Sequence, residues 1–111
     1  LAKASAEAES ARLLVLGTAR ENMAKLSKGE KLMLGDLARS RRNAAFGVKL
    51  AKQSVTRLFE ATGLAGVYLE NDIQRAFRDI HVASSHPTLG WDASATIYGR
   101  YAVGLDLEGL L

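Results

Sequence analysis

The residues of this chain that could do chemistry gather near its two histidines, His81 and His86. Pro87 follows His86 directly and restricts that residue to an extended backbone, so a helix through His81 must end before His86. Loops at helix ends often carry functional residues, and an imidazole can exchange a proton near physiological pH. His86 is therefore the candidate functional residue, with a purely structural loop histidine as the open alternative. His81 is interpreted as a surface or structural residue of the helix.

The sequence lacks the residue patterns of several other kinds of functional site. The chain has no cysteine, which excludes thiolate nucleophiles, cysteine zinc sites and disulfides. Its two histidines and scattered carboxylates do not form a metal-ligand pattern, so no metal is expected. Ser84 and Ser85 lie close to His86, but no nucleophile elbow accompanies them and no catalytic triad is predicted. Walker and Rossmann glycine patterns are also missing from the sequence.

One stretch of the chain is strongly basic and contains no acidic residue between Asp36 and Glu60. A phosphate-binding helix has this pattern. The stretch lacks a regular pattern of interleaved aromatic side chains, however, and a net charge of +3 is too small to indicate nucleic acid. We interpret it as a solvated helix face, with a contact to an anionic cofactor or a neighbouring domain as the alternative. Its basic residues are Arg39, Arg41, Arg42, Lys49, Lys52 and Arg57.

The elements that must position these residues are predicted to be helices. The 111 residues suit one domain; 48% are apolar, 24% are charged, and there is a single proline. Apolar residues recur at three- and four-residue steps, with glycine or proline breaks between the segments. We expect an all-α, up-and-down helical bundle over residues 1–111, with helices at 2–27, 30–61, 73–84 and 92–106. No apolar run approaches the roughly 20 residues of a membrane span, and we expect a cytoplasmic protein.

Each of the four predicted helices carries apolar residues that should face the core of the bundle; in the third these are Ile73, Ala76 or Phe77, and Ile80. Val48, Val55 and Leu58 of the second helix are expected to be buried. Phe46 and Leu50 lie off that stripe and predict a second contact face toward another domain or subunit, with scattered surface residues as the alternative. The stripes consist of Leu13, Leu16, Ala19, Met23 and Leu26 in the first helix; Ala44, Val48, Ala51, Val55 and Leu58 in the second; and Ala95, Tyr98, Ala102 and Leu105 in the last.

Residues 72–81, DIQRAFRDIH, and 84–86, SSH, resemble the C-terminal domain of the acyl-CoA dehydrogenase superfamily. Residues 10–14 and 98–100 fit two other helices of that domain. The resemblance implies a helical bundle that follows an N-terminal helical domain and a middle β-domain. It also implies that this chain is a C-terminal fragment whose first bundle helix precedes Leu1.

Within that superfamily, the residue at position 87 separates two kinds of chemistry. Acyl-CoA dehydrogenases commonly place a catalytic Glu eight residues after the Asp of an Arg-Asp pair; counted from Asp79, that position is Pro87. A proline cannot abstract a proton. The chain is more similar to the flavin-dependent monooxygenase branch, whose members have a His seven residues after that Asp. His86 matches this position.

This resemblance implies that His86 is catalytic in a full-length two-component flavin-dependent monooxygenase, an oxidoreductase. Such enzymes use O2 and reduced FMN or FAD, supplied by a separate flavin reductase, to oxygenate a small aromatic substrate. The resemblance further implies a homotetramer, with no metal, nucleic acid or membrane as partner. Because most of the flavin site would lie outside this chain, its flavin-binding residues are unassigned and the chain alone is expected to be inactive. An acyl-CoA dehydrogenase-like oxidoreductase and a non-catalytic helical interaction module are the open alternatives.

Overall fold

Four α-helices joined by short connections make up the chain in a computed structural model, which describes residues 1–107 and 109–111. They are α1 (Ala2–Ser27), α2 (Leu34–Ala61), α3 (Asp72–Ser84) and α4 (Trp91–Ala102). Two 3-10 turns, Gly63–Val67 and Pro87–Leu89, lie in the connections on either side of α3. The described residues contain no strand, and the predicted all-α helical bundle is confirmed.

The ends of the helices depend on local backbone chemistry. Gly29 has a φ of 76° after α1, and Gly104 has a φ of 77° after α4. Both are left-handed conformations that favour glycine and stop a helix. The α2 helix starts four residues later than predicted because Asp36 accepts a hydrogen bond from the backbone N–H of Met33 at 3.0 Å and caps it there. The α4 helix ends four residues earlier than predicted, ahead of Gly104.

The α1 and α2 helices approach each other closely because small side chains line their interface. Ala4 and Ala11 of α1 are buried, and Ser54 of α2 donates a hydrogen bond to the Ala4 carbonyl oxygen at 2.6 Å. At Gly47 of α2, an added Cβ atom would lie only 2.6 Å from the Val15 Cγ2 atom. A neighbour would have to shift to make room for it, so the missing side chain at this position permits the close approach.

Polar contacts fix the register of the same helix pair. The buried amide of Asn43 donates a hydrogen bond to the Thr18 hydroxyl at 2.8 Å. Near the other end of the interface, the Arg57 guanidinium donates to the carboxylate of Glu7, with Nε–O distances of 3.0 and 3.1 Å. Sliding one helix along the other would leave these part-buried polar groups without partners, which is costly.

The predicted apolar stripe of α1 is wrong as a core face. Leu13 is 64% exposed and Met23 is 65% exposed, and Leu16, Ala19 and Leu26 are exposed as well. The residues that pack on α2 lie on a different side of the helix and are mostly smaller. Helical periodicity identifies residues that share a face, but the partner decides which face is covered, and α2 covers the one that allows a close approach.

The predicted apolar stripe of α2 is only partly buried. Val48, Val55 and Leu58 are half-buried and not buried as expected. The α2 helix packs against α1, α3 and α4 on different sides, so no single stripe can be its core. The most deeply buried apolar positions go to small residues, Ala38 and Ala45.

The buried face of α4 is also displaced from the prediction. Ser94 and Ile97 are buried, whereas the predicted Ala95 and Tyr98 are half-buried and Ala102 and Leu105 are exposed. Ile97 sets the orientation of the helix because it joins the core cluster. That cluster consists of Ala38, Ile97 and Leu107, with Tyr98 packed against it.

The second contact face expected at Phe46 and Leu50 is partly covered within the chain. The Phe46 ring lies 5.3 Å from the Trp91 ring, so the first residue of α4 packs on it, and 37% of Phe46 stays exposed. Leu50 is half-buried. Contact of this face with another subunit stays a prediction.

We expect Ala11→Leu to destabilise the chain by about 1–3 kcal/mol, because the added carbons would have to fit into the close α1–α2 interface. Ala8→Leu is the matched control: Ala8 lies on the same helix but is exposed, and its change should stay within about 0.5 kcal/mol. Urea unfolding monitored by circular dichroism measures both. Equal unfolding midpoints for the two variants would contradict the close packing of α1 against α2.

The Asp36 carboxylate joins the α1–α2 connection to both helices. Its Oδ1 atom lies 2.5 Å from the Lys25 ammonium of α1, while its Oδ2 atom accepts the Met33 backbone N–H. The hydrogen bond from Lys25, followed by that from Met33, lowers the pKa of Asp36 below its ordinary value of 3.8. A carboxylate whose pKa is lowered by folding stabilises the fold above its unfolded-state pKa, and this contribution is lost as the pH falls through the folded-state pKa.

Asp36→Asn should therefore destabilise the chain at neutral pH, and the difference from wild type should shrink as the pH falls below 3.8. The amide oxygen of Asn can still accept the Met33 N–H, so the substitution removes mainly the charge that pairs with Lys25. Urea unfolding of both proteins over that pH range is the measurement. A stability difference that does not change with pH would show that the Asp36 charge contributes nothing.

Candidate functional site

An aromatic stack holds α3 against the C-terminal half of α2. The rings of Phe59 and Phe77 are stacked, with their centroids 4.3 Å apart. The start of α3 is fixed by Asn71, whose side-chain oxygen accepts the backbone N–H of Ile73 at 2.9 Å. The cap fixes where α3 starts, and the ring stack fixes how α3 lies on α2. The loop that follows α3 therefore begins at a fixed place, next to the start of α4.

His86 lies in that loop, as the sequence predicted. Its φ of −66° and ψ of 131° are extended, and Pro87 opens a 3-10 turn in which Leu89 N–H donates to the His86 carbonyl oxygen at 2.9 Å. The imidazole is exposed, and its Nδ1 atom lies 2.8 Å from the Thr88 hydroxyl oxygen. A rigid turn thus presents the ring to the outside of the chain, and a catalytic role for it stays a prediction.

His81 has a different setting, inside α3. Its Nδ1 atom lies 2.7 Å from the Phe77 carbonyl oxygen, and its ring centroid is 4.1 Å from the Phe77 ring. The hydroxyls of Ser84 and Ser85 donate to the backbone carbonyls of His81 and Val82. The two serines are therefore engaged with the helix end and do not form a nucleophile pair with a histidine.

The charged residues of α3 have modest structural roles. Arg75 and Asp79 form the expected pair one turn apart, with an N–O distance of 3.8 Å between exposed side chains. Such a pair contributes only about 0.3–0.5 kcal/mol. Arg78 donates a hydrogen bond to Gln74 on the same helix at 2.7 Å. Arg78 and Asp79, the adjacent Arg-Asp pair of the sequence pattern, are thus both exposed on the outer surface of α3.

A cleft of about 320 Å³ lies between α2, the end of α3 and the start of α4. Lys49 and Lys52 provide positive charge on one side, and the Lys49 ammonium lies 5.2 Å from the centre of the Trp91 ring. His86 does not line this cleft, although Ser84 and Leu89 on either side of it do. Sequence reasoning missed this grouping because its residues come from three separate segments. The lining residues are Ala45, Val48, Lys49, Lys52, Ser84, Leu89, Gly90, Trp91 and Asp92.

The basic stretch between Asp36 and Glu60 is not a uniform solvated face, because its arginines contact other parts of the chain. Arg39 pairs with Glu21 at 2.5 Å, and Arg57 pairs with Glu7. Arg42 lies over the Tyr98 ring at 4.0 Å, and Arg41 donates to the Leu110 carbonyl oxygen at 3.0 Å. The arginines connect parts of the fold, which leaves Lys49 and Lys52 in the cleft as the cations that an anionic ligand could use.

The described residues contain no group of three or more His, Asp or Glu side chains placed to hold a metal ion. None of their helices combines the length and the apolar character that crossing a lipid bilayer requires.

Comparisons with known proteins agree with this architecture. The FADH(2)-dependent resorcinol hydroxylase, oxygenase component, of Rhizobium sp. (strain MTP-10005) is 35% identical over 100 residues, which are 89% of this chain and 23% of that protein. The p-hydroxyphenylacetate 3-hydroxylase, oxygenase component, of Acinetobacter baumannii is 36% identical over 70 residues, or 63% of this chain and 17% of that protein. The chain thus spans about a quarter or less of the length of these curated relatives.

A solved structure and a family profile lead to the same assignment. The crystal structure of the HsaA monooxygenase from M. tuberculosis superposes with a TM-score of 0.88 at 28% identity, covering 95% of this chain and 28% of that one. Residues 1–91 match the family profile described as acyl-CoA dehydrogenase, C-terminal domain. Over most of its length, therefore, this chain belongs to the acyl-CoA dehydrogenase C-terminal domain family.

Proposed function

We propose that this chain is the C-terminal helical domain of the oxygenase component of a two-component flavin-dependent monooxygenase. The observation that carries the proposal is the loop at residues 86–90. Where a dehydrogenase of this superfamily would commonly place its carboxylate base, this loop has Pro87, and beside it an exposed imidazole on a rigid turn. The names of the resorcinol and p-hydroxyphenylacetate hydroxylases, both oxygenase components, support the same choice.

The residues of the cleft fit one part of a flavin nucleotide. FMN and FAD both carry phosphate, and the ammonium groups of Lys49 and Lys52 can bind phosphate as point charges. Trp91 and Leu89 form the apolar part of the lining of the same cleft. When bound in its reduced form, delivered by a separate flavin reductase, the flavin supplies the electrons that activate O2 for transfer of one oxygen atom to a small aromatic substrate. Either FMN or FAD is compatible with these residues.

In this proposal, His86 donates a hydrogen bond to a substrate oxygen or to the oxygen that is transferred. A hydrogen-bond donor aimed at developing negative charge stabilises a transition state strongly when water is excluded. The ring is exposed in this chain, so the water exclusion must come from other parts of the longer protein. This is why we expect the chain alone to be inactive.

The exposed apolar face of α1 supports a larger assembly. Leu13, Leu16, Met23 and Leu26 are exposed together along one side of the helix. A contiguous apolar face of this kind is typical of a surface that another helix or subunit covers. We propose that residues 1–111 pack within a longer chain, against a preceding bundle helix, and that the longer chain forms a homotetramer.

Light scattering of the full-length protein, coupled to size-exclusion chromatography, tests the assembly. We expect a mass of four subunits, and the double variant Leu13→Glu with Met23→Glu should lower the mass or the solubility. Ser10→Glu is the matched control, because Ser10 is exposed on the same helix but lies off the apolar face, and it should change neither. A monomer of unchanged solubility in all three proteins would contradict the assembly.

His86→Ala in the full-length protein tests the function. The fold should be kept because the ring is exposed and packs on nothing in the core. The yield of hydroxylated product per O2 consumed should fall, with a rate loss on the order of 10²–10³. His81→Ala is the control: it removes the contact with Phe77 and should lower stability while the yield per O2 stays near the wild-type value.

Stopped-flow mixing of the reduced-flavin protein with O2, together with product analysis, measures these quantities. Unchanged rates and an unchanged product yield in His86→Ala would remove His86 from the active site. Reduction of an electron acceptor by an acyl substrate, without hydroxylation, would instead establish the dehydrogenase-like alternative.

A further inference from the structure

The hydrogen bonds of the loop at residues 86–90 determine which nitrogen of His86 carries the proton. The Nδ1 atom of His86 receives the backbone N–H of Thr88 at an N–N distance of 3.3 Å. A peptide N–H can only donate a hydrogen bond, so Nδ1 is the acceptor in this contact. The Thr88 hydroxyl, 2.8 Å from the same nitrogen, then also donates to it. Both contacts are satisfied together when the neutral imidazole has its hydrogen on Nε2.

The loop that makes this arrangement is held from two directions. Pro87 fixes the backbone after His86, and the fully buried Ser94 of α4 donates a hydrogen bond to the Thr88 carbonyl oxygen at 3.4 Å. Thr88 is therefore tied to α4 through its backbone while its side chain contacts His86. The fold thus places the backbone of Thr88 beside the His86 ring, where both its N–H and its hydroxyl lie near Nδ1.

The other histidine has the opposite arrangement. The Nδ1 atom of His81 lies 2.7 Å from the carbonyl oxygen of Phe77, and a carbonyl oxygen can only accept. Neutral His81 must therefore carry its hydrogen on Nδ1. The chain thus contains one histidine in each tautomer, and each acts as an internal reference for the other.

We propose that Thr88 is a positioning residue that holds His86 in the Nε2–H tautomer, so that the ring presents a hydrogen-bond donor on its outward edge while it is neutral. The inference rests on the proposed function for its purpose, since a donor is what a reacting or substrate oxygen requires. The tautomer itself depends only on the contacts within this chain. A neutral donor is also available without a prior protonation step, unlike one that needs the imidazolium.

Nuclear magnetic resonance of the ¹⁵N-labelled chain decides the tautomers without any flavin. A long-range ¹H–¹⁵N correlation spectrum is recorded about two pH units above 6.5, where an ordinary histidine is neutral. We expect His86 to show the protonated-nitrogen shift at Nε2 and His81 to show it at Nδ1. The same tautomer ratio as a free histidine side chain at His86 would overturn the proposal.

Two variants at position 88 separate the hydroxyl from the rest of the side chain. Thr88→Val keeps the shape and the backbone N–H but removes the hydroxyl, the closer of the two donors to Nδ1. The population of the Nδ1–H tautomer of His86 should therefore rise, while the weaker backbone hydrogen bond stays in place. Thr88→Ser keeps the hydroxyl and should keep the wild-type pattern. The His81 signals should be identical in all three proteins, which shows that the fold is intact. An unchanged His86 tautomer in Thr88→Val would overturn the role of the Thr88 hydroxyl.

The full-length protein then distinguishes this inference from the proposed function. Thr88→Val should lower the yield of product per O2 by about threefold to tenfold, the effect of one hydrogen bond, and Thr88→Ser should restore it. A loss of yield in His86→Ala without any loss in Thr88→Val would overturn the positioning role. No loss in His86→Ala, with the tautomers as expected, would overturn the proposed function of His86 and leave its tautomer established.

Discussion

The close contact between α1 and α2 is the constraint on which the rest of the chain depends. Each of the other helices packs against α2, so the position of α2 has to be fixed before the others can be placed. Small side chains at Ala11, Gly47 and Ser54 let the two long helices meet, and hydrogen bonds between buried groups fix their register. Burial of apolar area is modest along this interface, because alanines bury little surface. Its stability therefore depends on close packing and on satisfied polar groups.

The Phe59–Phe77 stack connects the α1–α2 pair to the candidate site. It fixes α3 on the part of α2 that is already held by α1, and the end of α3 determines where the loop at residues 86–90 begins. At its far end, the loop leads into Trp91, whose ring packs on Phe46 of α2. The loop is thus anchored to α2 on both sides. An exposed imidazole between two such anchors can keep a defined direction, which a histidine in a free loop could not.

The features that the sequence predicted well are those with local causes. Helix positions follow from periodicity and from glycine and proline breaks, and the loop position of His86 follows from the constraint that Pro87 imposes on its neighbour. The buried faces were predicted poorly because periodicity does not identify the partner. Leu13 and Met23 share a face with other apolar residues, yet α2 covers the smaller residues on another side. The cleft at Lys49 and Trp91 was missed for a related reason: its two walls are separated by about forty residues of sequence and meet only through tertiary packing.

The contrast between the two histidines shows how little of a functional site composition can specify. Both are followed within a few residues by a hydroxyl side chain, and both could take either neutral tautomer in isolation. In α3, the helical backbone places a carbonyl oxygen beside the ring of His81, and its proton must face inward to that acceptor. In the turn after Pro87, the backbone instead places an N–H beside the ring of His86, and the donor must point away from the chain. A backbone acceptor favours one tautomer at His81, and a backbone donor joined by the Thr88 hydroxyl favours the other at His86, so the local fold decides which histidine can offer a proton outward.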